Sequence, residues 1–217
     1  MNRILEPELM DSTEQALAYA RADFEEPNTR FIELLHALAG SVAISGRVVD
    51  LGCGPADIAR KLLERFPDCT VDAVDGSRAM ILQAVQQRTP ELEERLRLIE
   101  ATLPSDRLED GAYDYVISNS LLHHLHDPSV LWDTVRKVAS ARARVLVVDL
   151  LRPPSLEKAH EIVERYAADE PEVLKRDFYN SLLAAFEVGE VRRQLTAAGL
   201  DHFRVSVISD RHLAVSG

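Results

Sequence analysis

A β-branched run ends at Val48-Val49-Asp50-Leu51 and passes through Gly52-Cys53-Gly54-Pro55-Ala56-Asp57 into a helical pattern. Lacking a Cβ, Gly52 and Gly54 let the backbone turn tightly and let a ligand come close. Asp50, at the strand end, is placed to orient that turn or to accept hydrogen bonds from a cationic ligand group. Asp75 closes the next expected strand, where a carboxylate takes both hydroxyls of a ribose. The turn departs from GxGxxG, because Asp57 stands where the last glycine would be, and its charge at a helix start repels a pyrophosphate. No Gly-Lys pair exists for a phosphate loop. These residues suit an adenosine ligand without phosphates; a plain strand-to-helix loop is the alternative that a bare GxG leaves open.

A second cluster is His123-His124-Leu125-His126-Asp127. Imidazole accepts a proton near neutral pH, so His123 or His124 is a candidate general base. The alternative, of equal weight, is one packed histidine and one that only lines a pocket. Adjacent side chains point apart in regular structure, so no metal is expected on this stretch.

The elements that must position these residues follow from periodicity. Short apolar runs at 47–51, 70–75, 96–100, 113–118 and 144–150 alternate with helical patterns at 58–66, 77–88 and 128–139. This is the signature of an α/β three-layer sandwich with a mostly parallel sheet. Residues 153–186 are expected to be helical, and 188–198 form a helix stopped by Gly199. Runs at 202–208 and 211–215, separated only by Ser209-Asp210, predict an antiparallel hairpin that brings the sheet to seven strands. The first 45 residues are expected to be helical throughout, with Ser12 as a cap and Pro27-Asn28 between two helices. The expected organisation is one domain: a helical N-terminal lid (1–45), a core (46–150), a helical insertion (151–186), and a closing helix and hairpin (187–217).

Composition bounds the partners. With 25 Lys and Arg against 36 Asp and Glu the net charge is −11, which disfavours a nonspecific nucleic-acid surface. No apolar run approaches the roughly 20 residues of a membrane span, and the N-terminus shows no secretory pattern. Two cysteines, Cys53 and Cys69, are too few for a disulfide scaffold, so a reducing, cytoplasmic setting is expected. A small-molecule ligand and a monomer or homodimer are the expected partners and state.

In combination these motifs resemble the class I S-adenosylmethionine-dependent methyltransferases. VVDLGCGPAD resembles their first motif, with Ala56 where a third glycine is commonest, and VDAVDGSRAM their second. YDYVISNSLLHHLHDPSVLWDTVRKV resembles a segment of the members that act on quinone precursors and other small metabolites, and RVLVVDLLRP resembles the fifth strand and its exit. The resemblance spans residues 45–150 and implies a Rossmann-like fold and methyl transfer from S-adenosylmethionine to O, N, S or C of a small acceptor. The product is S-adenosylhomocysteine, and no metal is implied. A noncatalytic cofactor-binding partner subunit or sensor is the alternative.

The resemblance also implies roles. Asp50, Gly52, Cys53 and Gly54 match the turn beneath the amino-acid part of the cofactor, and Asp75 the ribose ligand, followed by Gly76 and Ser77. Met80 packs near the adenine or serves only the core. Thr102 stands where members often have an Asp, which leaves the backbone around Ala101–Leu103 to meet the adenine. Asn119 matches a position beside the methionine portion, and Tyr19 is a lid by analogy or a packed aromatic. The acceptor is expected over the ends of the fourth and fifth strands, walled by His123, His124, Arg152 and the Asp177-Phe178-Tyr179-Asn180 stretch. Arg152 pairs with an anionic acceptor or, equally, with a structural carboxylate such as Asp149 or Glu157.

Overall fold

The computed structural model describes residues 1–7, 12–40 and 43–217. Helices α1 (Thr13–Arg21) and α2 (Glu25–Ala39) lead into β1 (Gly46–Leu51), α3 (Asp57–Arg65), β2 (Cys69–Asp75), α4 (Arg78–Gln87) and β3 (Leu96–Glu100). Then come β4 (Tyr113–Asn119), α5 (Ser129–Val138), β5 (Ala139–Leu150), α6 (Leu156–Tyr166), α7 (Glu172–Ala184), α8 (Val188–Ala197), β6 (Arg204–Val207) and β7 (His212–Ser216). The strands form one seven-stranded sheet in the order β3-β2-β1-β4-β5-β7-β6. β1 to β5 run parallel, and β7 and β6 are antiparallel to their neighbours.

The chain winds outward from β1 in one direction and from β4 in the other. Between these two strands the connections diverge, opening a crevice at their carboxyl ends, where such sheets hold ligands. One face of the sheet is covered by Phe31, Ile32 and Leu35 of α2, Leu62 of α3 and Ala84 of α4. The other carries Leu131, Trp132 and Val135 of α5 with Val191 and Leu195 of α8. Each fully buried aliphatic side chain contributes about 1.5–3 kcal/mol, so these stripes hold the strand ends in register. A third cluster, built from Leu150, Ile162, Val163, Leu182 and Leu183, seats α6 and α7 above the exit of β5. Among the described residues no helix is long and apolar enough to cross a membrane.

Three expectations are corrected. Residues 1–7 are not helical; they form an extended strap, with the Ile4 amide donating to the Leu183 carbonyl. Arg3 fastens the strap by donating to the carbonyls of Ala184, His123 and Leu125. Pro27-Asn28 do not separate two helices: the break falls at Ala22–Phe24, and Pro27 sits in the first turn of α2, where a missing N–H costs nothing. β5 starts at Ala139, not Arg144, because its half-exposed opening, Ala139–Arg144, hides a strand behind polar residues. Ser12 does cap α1, accepting from the Gln15 amide at 3.0 Å.

Candidate active site

The glycine turn is fixed from below by β2. The amides of Gly52 and Cys53 both donate to the Val74 carbonyl, at 2.8 and 3.0 Å. Gly52 holds φ +75°, and a Cβ there would lie 2.8 Å from the Leu121 side chain. Ala56 completes the turn with φ 63°, a conformation an L residue takes rarely. Asp57 opens α3 as expected, but it pairs with Arg60, which partly neutralises it.

Asp75 joins two loops: one carboxylate oxygen accepts from the Gly54 amide at 2.8 Å and the other from the Ser77 amide at 2.7 Å. Ser77 in turn caps α4 by accepting from the Met80 amide at 3.2 Å, and Met80 is buried. Beneath the turn lies Asp50, 2% exposed, with Oδ2 lacking any hydrogen-bond partner. Burial and the nearby Asp75 charge push its carboxyl up to about 7. A buried orphan acceptor calls for a donor, and a cationic group suits it best. Burial pushes the Cys53 thiol well up, so its sulfur stays protonated.

Tyr19 lies over the turn: a Cβ on Gly54 would stand 4.0 Å from its ring. The ring packs on Phe24 at 4.6 Å, and burial with the charges of Asp57, Asp75 and Asp149 pushes its hydroxyl up to about 12. It stays a proton donor. Ser118 locks β4 to β1 by donating to the Leu51 carbonyl, and Asn119 ends β4 half-buried at the crevice. The Ala101 amide donates to the Asp75 carbonyl, placing Thr102, exposed, and Leu103, half-buried, just beyond β3.

Asp149 organises the histidines. Buried at the end of β5, it accepts from the amides of Leu122 and Leu150 and from His123 Nδ1–H, each at 2.7 Å. His123 and His124 share a 3-10 turn, Leu122–His124, which brings their rings to 4.2 Å, tilted by 36°, instead of splaying them. Burial pushes His123 down, but Asp149 and Glu6 raise it further, and the net direction is up. Burial and His123 push His124 down to about 3. His124 is therefore a neutral acceptor, a weaker base than its ordinary value promised.

A recess of about 220 Å³ opens beside His124, lined by Glu6, Pro7, Gln15, Arg176, Asp177, Asn180 and Ser181. Of the expected wall, His124, Asp177 and Asn180 are present. Phe178 and Tyr179 lie on the other side of α7, against the third core cluster, and Tyr179 stacks on His160 at 4.3 Å. Arg152 also stands apart. Its guanidinium bonds Glu187 and Glu190, both at 3.0 Å, and the Ala185 carbonyl, so the structural pairing is the one found, with partners on or beside α8. Glu6, Gln15 and Asp149 were not among the expected site residues. Asp149 carried a signal, a charged residue ending an apolar strand as Asp50 and Asp75 do. Glu6 carried none, lying in a segment without periodicity.

Residues 49–145 match a family described as a methyltransferase domain. The chain is 31% identical over 128 residues to trans-aconitate 2-methyltransferase of Variovorax paradoxus, covering 58% of this chain and 46% of that protein. It is 35% identical over 94 residues to malonyl-[acyl-carrier protein] O-methyltransferase of Bacillus cytotoxicus, covering 42% and 30%. It thus spans less than half the length of these curated relatives. Among solved structures, a SAM-dependent methyltransferase from Aquifex aeolicus superposes with a TM-score of 0.68 at 15% identity, over 94% of this chain and 97% of that one. The plantazolicin methyltransferase BpumL in complex with SAH gives 0.68 at 13% identity, over 94% and 90%. Residues 49–145 thus resemble a methyltransferase domain, and the sheet built around them has the fold of the S-adenosylmethionine-dependent methyltransferase structures on which it superposes.

Proposed function

We propose that this chain binds S-adenosylmethionine across the glycine turn and passes its methyl group to a small-molecule acceptor, releasing S-adenosylhomocysteine. The observation that carries the reading is the pair of carboxylates at the ends of β1 and β2. Asp75 is clamped where ribose hydroxyls would reach it, and Asp50 presents a buried, unpartnered oxygen where a cofactor ammonium would complete it. Gly52, Cys53 and Gly54 supply the close backbone approach, Gly76 and Ser77 continue around the sugar, and Asn119 borders the methionine portion. Met80, Thr102 and Leu103 surround the base, and Tyr19 covers the turn.

Methyl transfer is an in-line displacement: the acceptor's electron pair forms the new bond to carbon while the carbon–sulfur pair stays on sulfur. The leaving thioether is neutral, so alignment and exclusion of water are the main tasks of the protein. The sulfonium charge is consumed in the step, and an anion stabilising it would slow transfer. Carboxylates directed at the ribose and ammonium satisfy that condition. The acceptor enters the recess beside His124, one turn of α1 from Tyr19 through Gln15. Its volume falls just under the roughly 300–1,000 Å³ usual for ligand sites, which suits a small acceptor. His124 lines the recess together with Glu6, and Asp149 fixes the His123 ring beside them. The names of the relatives suggest small acids or acyl carriers, and a carboxylate acceptor needs no base. A cytoplasmic, monomeric or homodimeric enzyme completes the proposal; the acidic charge and two buried cysteines support the setting.

The test is transfer of labelled methyl from the cofactor to a panel that includes trans-aconitate and malonyl thioesters. Turnover of one small acid above the no-acceptor rate supports the reading. Cofactor binding without turnover across a broad metabolite panel points to a binding module instead.

A further inference from the structure

The histidine turn and the N-terminal strap bring together three donor atoms that methyl transfer does not require. Glu6 Oε1 lies 3.6 Å from His123 Nε2 and 3.3 Å from His124 Nδ1, and all three atoms fall within 4.8 Å of one another. Among the described residues this is the one group of three such side chains so arranged. We propose that Glu6, His123 and His124 form a binding site for a divalent ion of the zinc class.

Each of the three atoms has a lone pair to offer, and the hydrogen bonds around them leave it uncommitted. His123 donates its Nδ1–H to Asp149, which turns Nε2 toward Glu6. His124 bonds the backbone of Pro7, and proline has no N–H, so the ring donates through Nε2 to the carbonyl. Its Nδ1 is left buried with no hydrogen-bond partner, and Glu6 Oε1 is in the same condition. The Glu6 side chain is only 9% exposed, and its second oxygen accepts from the Ser181 hydroxyl. Two buried acceptors that face each other need a cation or a donor between them. A proton on His123 Nε2 would meet Glu6 but would leave His124 Nδ1 unsatisfied; an ion at the centre meets all three.

The dimensions and surroundings agree. A tetrahedral zinc with bonds of about 2.0–2.1 Å sets its ligands roughly 3.3 Å apart, close to the two separations from Glu6. The Asp149–His123 bond is the carboxylate–histidine support that orients metal-binding imidazoles. The Glu6 and Asp149 carboxylates offset the two charges of the ion, while the nearby Arg3 cation is held on three backbone carbonyls. Two histidines and one carboxylate leave a fourth position open, and Glu6 and His124 both line the recess. The ion therefore ties the strap to the histidine turn and offers that position to an oxygen or nitrogen of the acceptor. This last role rests on the proposed function; binding of the ion does not.

The test uses the untagged 217-residue chain, stripped with a chelator and titrated with Zn²⁺ against a competing dye, and with Co²⁺ followed by visible absorption. One equivalent should bind, Co²⁺ should give the intense bands of a four-coordinate site, and Glu6→Gln or His124→Ala should each weaken binding by about tenfold or more. Asp149→Asn should weaken it by about 10–100-fold, while His202→Ala, exposed and remote, should leave it unchanged. Absence of uptake at micromolar ion, or uptake insensitive to both Glu6→Gln and His124→Ala, overturns the site. Asp75→Ala should abolish cofactor binding without affecting Zn²⁺ uptake, so loss of one reading is distinguishable from loss of the other.

Discussion

At Gly52 two constraints meet in one residue, a left-handed backbone and a Leu121 side chain where a Cβ would be. Gly52→Ala should cost about 1–2 kcal/mol for the backbone and a further 1–3 kcal/mol for overpacking. Gly111→Ala, with φ +64° and nothing within 4 Å of the added carbon, should cost only the first. Urea midpoints of the two variants compare these directly, and equal losses would contradict the close approach to Leu121. Asp50 makes a second prediction. Its carboxyl is raised in the folded chain, so its contribution to stability is fully present below the ordinary carboxylate range and is lost as pH rises through about 7. A cofactor ammonium beside it favours the ionised form. Binding near pH 6 should then release up to about one proton, and binding near pH 8.5 almost none. Calorimetry in buffers of differing ionisation enthalpy reads this number; the same release at both pH values would exclude Asp50 as the partner of the ammonium.

The strap shows how an element without secondary structure can build a site. Three bonds from Arg3 to the carbonyls of His123, Leu125 and Ala184 hold Glu6 over the histidines. Arg3→Ala should lower protection of the Ile4 amide in hydrogen exchange by about tenfold or more while cofactor affinity stays unchanged. Unchanged protection would show that the Ile4–Leu183 bond alone holds the strap. Elements with a strong period were legible in the sequence: β3 lies where its apolar run placed it, and α3, α5 and α8 differ by a residue or so at their ends. The strap was not legible, because its bonds are between side chains and distant backbone carbonyls, which leave no pattern along the chain. The inner face of α7 was misassigned for a related reason. Aromatic residues mark a buried face, but Phe178 and Tyr179 bury against α6, and the recess takes the polar residues on the opposite side.

Across the whole molecule, the divergence of the chain at β1 and β4 makes the crevice, and three acids ending apolar strands furnish it. Asp50 and Asp75 were readable as candidate ligand groups because charge at the end of a buried strand has few structural uses. Asp149 belongs to the same set, yet its partners are two amides and a histidine, a pairing that only the folded sheet brings together. The most direct test of the account is a calorimetric titration of S-adenosylmethionine into the chain and its Asp75→Ala variant, with circular dichroism to verify that both are folded. Saturable uptake of one cofactor per chain, weakened by about 100-fold or more in the variant, is the predicted result. No uptake by the unaltered chain, or equal affinity in the two, would contradict it.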